Sequence, residues 1–567
     1  MARMGWLSLG LLLVILAGHG AGASSDRPAA GAPLAGQTYY VRTDGGTPEQ
    51  CTGRADAAYG GAGTGQPCAW DHPFRALPPG GAPAIAGGDA LIIGPGAYMM
   101  GYGAPGAAAC DAGGAFDCHM PPLPSGPDPA RPTRILGAGW NSGCAAPPQL
   151  WGTERPWHIV DLTGSNNVEL GCLEITDHSS CVEFHSGGLA CERDNAPYGP
   201  WASVGLAAAD SANVYLHHLN IHGLASQGVL AGRLRDWRVE DVRIAGNGMA
   251  GWDGDIYGAD ANAGTLLFRR LTIEWNGCGE TYPGGQPAGC WAQTAGGYGD
   301  GLGTGESGGH WIFEDSIIRY NTSDGLDLLY IREPGSAIEI RRMLAVGNAG
   351  NQIKNYRGPF TLENSVVVGN CGFFDGQPFT FNVDACRALG VALALGLTAS
   401  DTVTVTNNTF TSEGDCLVTA ECHDGACSGA KSVRLRNNLF QGQVDFGQPF
   451  ERTCLIYEET FPADPFDLDY AVIAGVKDDV CPGSHSICGG PVGVVNTGVD
   501  TFDARLLAGS PAIGAALAAV APRGDFDHYA RDAQPDIGAY EYGAHPPRLD
   551  ARRLYLPLLL RPLLSQN

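Results

Sequence analysis

The chain has 567 residues, 84 of them glycine and 38 proline, and only 16% are charged. That balance favours a turn-rich, all-β protein over a helical one. A formal charge of −25 argues against nucleic acid or an anionic membrane as partner and is compatible with bound divalent cations.

In chain order, Arg3, the apolar run Leu7 to Ala17 and the small residues Ala21-Gly22-Ala23 come first. This is the pattern of a secretory signal over 1–23, because the apolar run is too short to span a bilayer. It predicts a secreted or cell-surface protein, so the 18 cysteines read as disulfides. Cys110/Cys118, Cys278/Cys290, Cys371/Cys386 and Cys481/Cys488 are spaced for local bridges, and no CxxC spacing suggests zinc or redox chemistry. Residues 24–37 read as a flexible leader rich in Ala, Gly and Pro. Strand-like runs follow at Thr38–Val41 and Ala90–Ile93, the second closed by Gly94-Pro95-Gly96. Residues 99–150 lack periodicity and read as a disulfide-rich insertion.

From Val168 a short pattern recurs: apolar-x-apolar, two polar residues, apolar-x-apolar, two residues, then Asn in five copies. Copies begin at Val168, Val214, Trp237, Leu266, Trp311, Ile338, Phe360, Val403 and Val433, many 22 to 30 residues apart. Self-similar β-rich units at such a period signal a solenoid, and period-two alternation within each copy signals a strand with one buried face. The expected fold is a right-handed single-stranded parallel β-helix with loop insertions over 38–445, its hand following the crossover rule. Asn247, Asn276, Asn321, Asn348 and Asn370 share one offset, which predicts a left-handed corner on each coil. The polar pairs Glu240-Asp241, Arg269-Arg270, Glu314-Asp315 and Arg341-Arg342 alternate in sign, as a structural charge ladder would. Beyond 445 the period fades, leaving a region 446–545 that completes or caps the helix and an apolar tail, 546–567.

If the copies stack, the residues after the Asn corner form columns. Leu302, Leu326 and Ile353 align; Asp300 then stands over Asp324, and Asp327 over Lys354. Asp253 and Asp255 fall near the same column one coil away. Carboxylates stacked at the strand spacing of about 4.8 Å repel unless a cation lies between them, and all-oxygen donors suit Ca²⁺. DG turns explain the same aspartates structurally. Lys354 is the only lysine before residue 431, so it does not belong to a lysine-rich solvated surface. A lysine tuned by burial and a nearby cation can act as a general base; a salt bridge to Asp327 is the plainer alternative.

GDGLG (299–303), NTSDGLDL (321–328) and GNQIK (350–354) resemble blocks of the family 9 pectate lyases. The resemblance implies a right-handed parallel β-helix that cleaves an acidic, uronate-containing polysaccharide by Ca²⁺-assisted β-elimination. It implies Asp300, Asp324 and Asp327 as metal ligands and Lys354 as the base, with Arg357 holding a substrate carboxylate. Ser323 stands where that family has a further aspartate. SPAIGAA (510–516), PDIGAYEY (535–542) and GDALIIGPGAY (88–98) resemble the choice-of-anchor Q type of exported β-helix protein. Two alternatives stay open: a noncatalytic carbohydrate-binding or adhesin-type β-helix, and a hydrolase of polygalacturonase type, for which a second carboxylate set is not evident. The expected state is a monomer with no membrane span in the mature chain.

Overall fold

The computed structural model describes residues 36–543 except 184, 186–188, 193, 257–260, 292–298, 399–400, 424–426, 428–431, 460 and 462–463. The expected signal, residues 24–35 of the leader and the apolar tail lie outside the described residues.

The chain is a right-handed parallel β-helix, as the repeat predicts. One coil consists of the strands His310–Glu314, Ile317–Arg319 and Leu326–Leu328, and the next of Ala337–Arg341, Leu344–Val346 and Ile353–Tyr356. Each strand pairs in parallel with its counterpart one coil on: Trp311 with Ile338, Ile318 with Ala345, Leu326 with Ile353. Alternation sends every second residue inward. Leu266, Trp311, Ile338, Phe360, Val403 and Val433 therefore stack in one buried column, and Leu302, Leu326, Ile353 and Leu393 in another. Burying each such side chain stabilises the fold by roughly 1.5–3 kcal/mol. Among the described residues no helix is long and apolar enough to cross a membrane.

The corners differ from the expectation. Left-handed φ falls on the second residue of each polar pair: Asp241 (55°), Arg270 (53°), Asp315 (53°) and Arg342 (53°). Those residues carry side chains that ion-pair between coils, Arg270 with Asp241 at 2.6 Å and Arg342 with Asp315 at 2.5 Å. The asparagines do something else. Asn247, Asn276, Asn321 and Asn348 are fully buried, and each amide donates to the side-chain oxygen of the next at 2.8–2.9 Å, ending on Gln352. This internal ladder satisfies polar groups that would otherwise be costly inside the coil. Asn370 leaves it and bonds Asp500 instead.

The expected charge ladder is in register: Glu240, Arg269, Glu314 and Arg341 stand side by side, bridged at 2.8–3.1 Å. All 18 cysteines form disulfides, including the four local pairs. The coils run on past 445 through Phe466–Asp469 and Val472–Ala474. The segment that follows turns back along the corners. Asn364, Asn407 and Asn437 donate to the carbonyls of Gly524, Asp536 and Leu517, and Arg531 reaches Asn364 while paired with buried Glu541.

Candidate functional site

The three-residue strands Trp252–Gly254, Leu302–Thr304 and Leu326–Leu328, together with Ile353–Tyr356, lie side by side in one ladder. Their register places Asp253, Gly303, Asp327 and Lys354 in a single outward-facing column. Two residues before the strands, Asp300 and Asp324 sit on adjacent coils, where the Asp324 amide donates to Asp300 Oδ1 at 2.9 Å. The columns drawn from the sequence are therefore those of the fold.

These side chains converge on one cleft of about 250 Å³, lined among others by Asp253, Asp255, Asp300, Asp324, Asp327 and Lys354. Lys354 Nζ donates to Asp327 Oδ2 at 3.0 Å and Asp324 Oδ2 at 3.3 Å. Asp324 Oδ1 accepts from the Asn351 amide at 2.7 Å, so both its oxygens are aimed by the next coil. Arg357 is exposed and turned elsewhere, its guanidinium donating to the Arg332 carbonyl at 2.9 Å. The cleft has Arg387 instead, whose guanidinium donates to Ser323 Oγ and lies 3.9 Å from Asp324 Oδ2. Arg387 follows Cys386, bridged to Cys371, and its amide is anchored on the Ala349 carbonyl at 3.1 Å.

The electrostatics are those of an over-acidic pocket. Burial, then the charges of Asp324 and Asp327, push Asp300 up to about 8. Burial and Asp324 raise Asp327 to about 6, against the pull of Lys354. Burial also raises Asp253 and Asp255. For Lys354 burial opposes the ammonium, but the carboxylates of Asp324 and Asp327 outweigh it and hold the proton more tightly than usual. A cluster of oxygen donors that resists its own ionisation fits a hard divalent cation. Thr304 Oγ1, buried on the cleft wall without a hydrogen-bond partner, is a further oxygen with nothing to bind. Asp300, Asp324 and Asp327 do not bring three ligand oxygens within 4.8 Å of one another. Lys354 and Arg387 stand among these carboxylates.

Sequence reasoning missed Arg387, Thr304 and Tyr330, which also lines the cleft and carries Arg332 5.2 Å over its ring. Tyr330 lies three residues past Asp327 and Thr304 four past Asp300, so both could have been found by extending the alignment. Arg387 arrives from a loop outside the repeat, and no periodic signal marks it.

No family model matches the chain, and no curated protein matches it in sequence. Solved structures similar to it include a pectate lyase, 15% identical, TM-score 0.45, covering 90% of this chain and 98% of that one. The A-module of a mannuronan C-5 epimerase from Azotobacter vinelandii is 14% identical, TM-score 0.41, covering 71% and 91%. A rhamnogalacturonan lyase is 12% identical, TM-score 0.34, covering 90% and 97%. At these identities the likeness concerns the fold alone.

Proposed function

We propose that the cleft cleaves a uronate-containing, pectate-like polysaccharide by β-elimination. The observation that carries this reading is the position of Lys354, the one lysine of the first 430 residues, with its amine inside a cleft of aspartates. Lys354 Nζ, as the neutral amine, takes the proton from the carbon next to the uronate carboxylate. The electron pair left behind forms a double bond to the adjacent carbon, whose bond to the glycosidic oxygen breaks. That oxygen leaves with a proton from solvent.

Asp300, Asp324 and Asp327 would hold Ca²⁺, with Ser323 offering a hydroxyl where a fourth carboxylate is lacking. When bound, the ion supplies positive charge against the carboxylate on which negative charge develops. The carboxylates that hold the Lys354 proton are the ones assigned to the ion, so loading the site also releases the amine for its work as base. Arg387, beside Asp324 and Ser323, orients a substrate carboxylate, the role that Arg357 is too far turned away to fill. The cationic groups Lys354 and Arg387 give a polyanion a local landing point on an otherwise acidic protein.

A second reading, a noncatalytic β-helix, is favoured by the same pairing: Lys354 on two aspartates and Arg387 on Ser323 could serve only to neutralise the coil surface. Absorbance of unsaturated uronate ends separates the two. Polygalacturonate and other uronans, each with calcium or chelator, should yield such ends with the wild type on at least one polymer and none with chelator. Absence of product on every uronan rejects the lyase.

A further inference from the structure

A second polar cluster lies outside the cleft, where the loop carrying the Cys110–Cys118 disulfide meets the coils; 99–150 is not one insertion, because Thr133–Gly137 and Gln149–Thr153 pair as coil strands of the main ladder. Its members are His119, His158 and Asp161, whose ligand atoms all lie within 4.8 Å of one another. His158 and Asp161 bound the strand His158–Asp161, while His119 follows the disulfide Cys110–Cys118 in that loop. The loop is pinned to that strand by backbone bonds from Trp157 to Phe116 (2.9 Å) and from Leu123 to Asp161 (3.1 Å).

His158 is the anomaly. It is only 1% exposed, yet neither ring nitrogen has a partner in good hydrogen-bond geometry. A neutral imidazole must carry one N–H, and a buried donor without an acceptor is rare in folded proteins. Its nearest acid, Asp161 Oδ2, stands 3.5 Å from Nε2, outside good hydrogen-bond geometry. That separation instead matches the edge of a tetrahedron around zinc, about 3.3–3.5 Å for metal–nitrogen and metal–oxygen bonds near 2.0–2.2 Å.

The His119 ring packs against that of His158, with centroids 3.8 Å apart and the planes tilted by 47°, so the two imidazoles would open slightly to share an ion. His119 Nδ1 lies 3.1 Å from the Met120 carbonyl oxygen, which can only accept, so Nδ1 carries the proton and Nε2 presents its lone pair. A backbone acceptor on the far nitrogen is the usual support of a metal-bound histidine. Asp161 Oδ1 is fixed by the Thr163 amide at 2.7 Å, which leaves Oδ2 for a ligand. His119 is half-buried, so the cluster is reachable from solvent.

We propose that His119, His158 and Asp161 form a zinc site that clamps the disulfide-bonded loop onto the β-helix. Two imidazoles and one carboxylate select zinc over calcium or magnesium, which take all-oxygen sets. The site is independent of the aspartate cleft and of the lyase reading.

The test uses tag-free, full-length protein stripped by chelator, then titrated with Zn²⁺ calorimetrically and with Co²⁺ by visible absorption. Excess Ca²⁺ is kept present so that the aspartate cleft is not read. The wild type should bind one equivalent, show the absorption of a four-coordinate cobalt site and gain several degrees in Tm. His119→Ala and Asp161→Asn should each weaken binding at least tenfold while their metal-free Tm stays near that of the metal-free wild type. Absence of binding by the wild type overturns the proposal, as does binding that neither substitution changes.

Discussion

Two charged columns run along the same coils, and they are built on opposite rules. On the corner side charges are paired across the coils: Arg269 lies between Glu240 and Glu314, and Asp315 is held by both Arg342 and His528. Burial disfavours the Asp315 carboxylate, but the hydrogen bonds from His528 and Arg342 outweigh it and hold the group down to about 2. On the cleft side carboxylates outnumber cations, and Asp300 and Asp327 move the other way, to about 8 and about 6. Scaffold charges are satisfied by the fold itself. The cleft is left unsatisfied, and groups of that kind cluster where a ligand is handled.

The sharpest way to separate the columns is to remove Lys354. Lys354→Ala should lower the rate of unsaturated-product formation by about 10²–10⁴-fold, the usual worth of a positioned base, while the β-sheet circular dichroism stays the same. Breaking the scaffold has the reverse signature. Asn276→Ala leaves the Asn247 side-chain amide unpaired in the core and removes one of the two bonds to the Asn321 oxygen, which keeps the backbone amide of residue 276, at a cost of roughly 1–3 kcal/mol read from the denaturant midpoint.

Acid separates the columns by sign. Asp315 has its folded value below the unfolded one, so it contributes stability above about pH 4 that is lost as the pH falls towards 2, on the order of 2 kcal/mol. Asp315→Asn should flatten that acid limb of the unfolding midpoint. Asp300 and Asp327 are raised, so in chelator they contribute stability at low pH that is lost as the pH rises towards 6 and 8. Asp300→Asn should reduce that loss. The smallest effect is expected at Arg269, whose side chain is 32% exposed: Arg269→Ala should cost under about 1 kcal/mol and leave product formation intact.

Much of this architecture is legible in the sequence because a β-helix is a repeat. Once Leu302, Leu326 and Ile353 are aligned, the neighbours of Asp327 and Lys354 follow from the constant strand spacing. The asparagine offset was equally visible, but its meaning was not: the same residue type suits a left-handed corner and a buried amide ladder, and only the inward direction of Asn276 and Asn321 decides for the ladder. Arg387 and the His119 cluster escape for a different reason. Each joins a loop insertion to the coils, and loops carry no period from which a contact can be read.

The reading of the cleft rests on removal of one proton next to a uronate carboxylate, and NMR in D₂O follows that proton directly. Uronans incubated with the wild type should yield ends with a new double bond at the carbon that bore it, and Lys354→Ala should form them at least about 100-fold more slowly. Chains that keep that proton and stay uncut with calcium present, or equal product from Lys354→Ala, would contradict it.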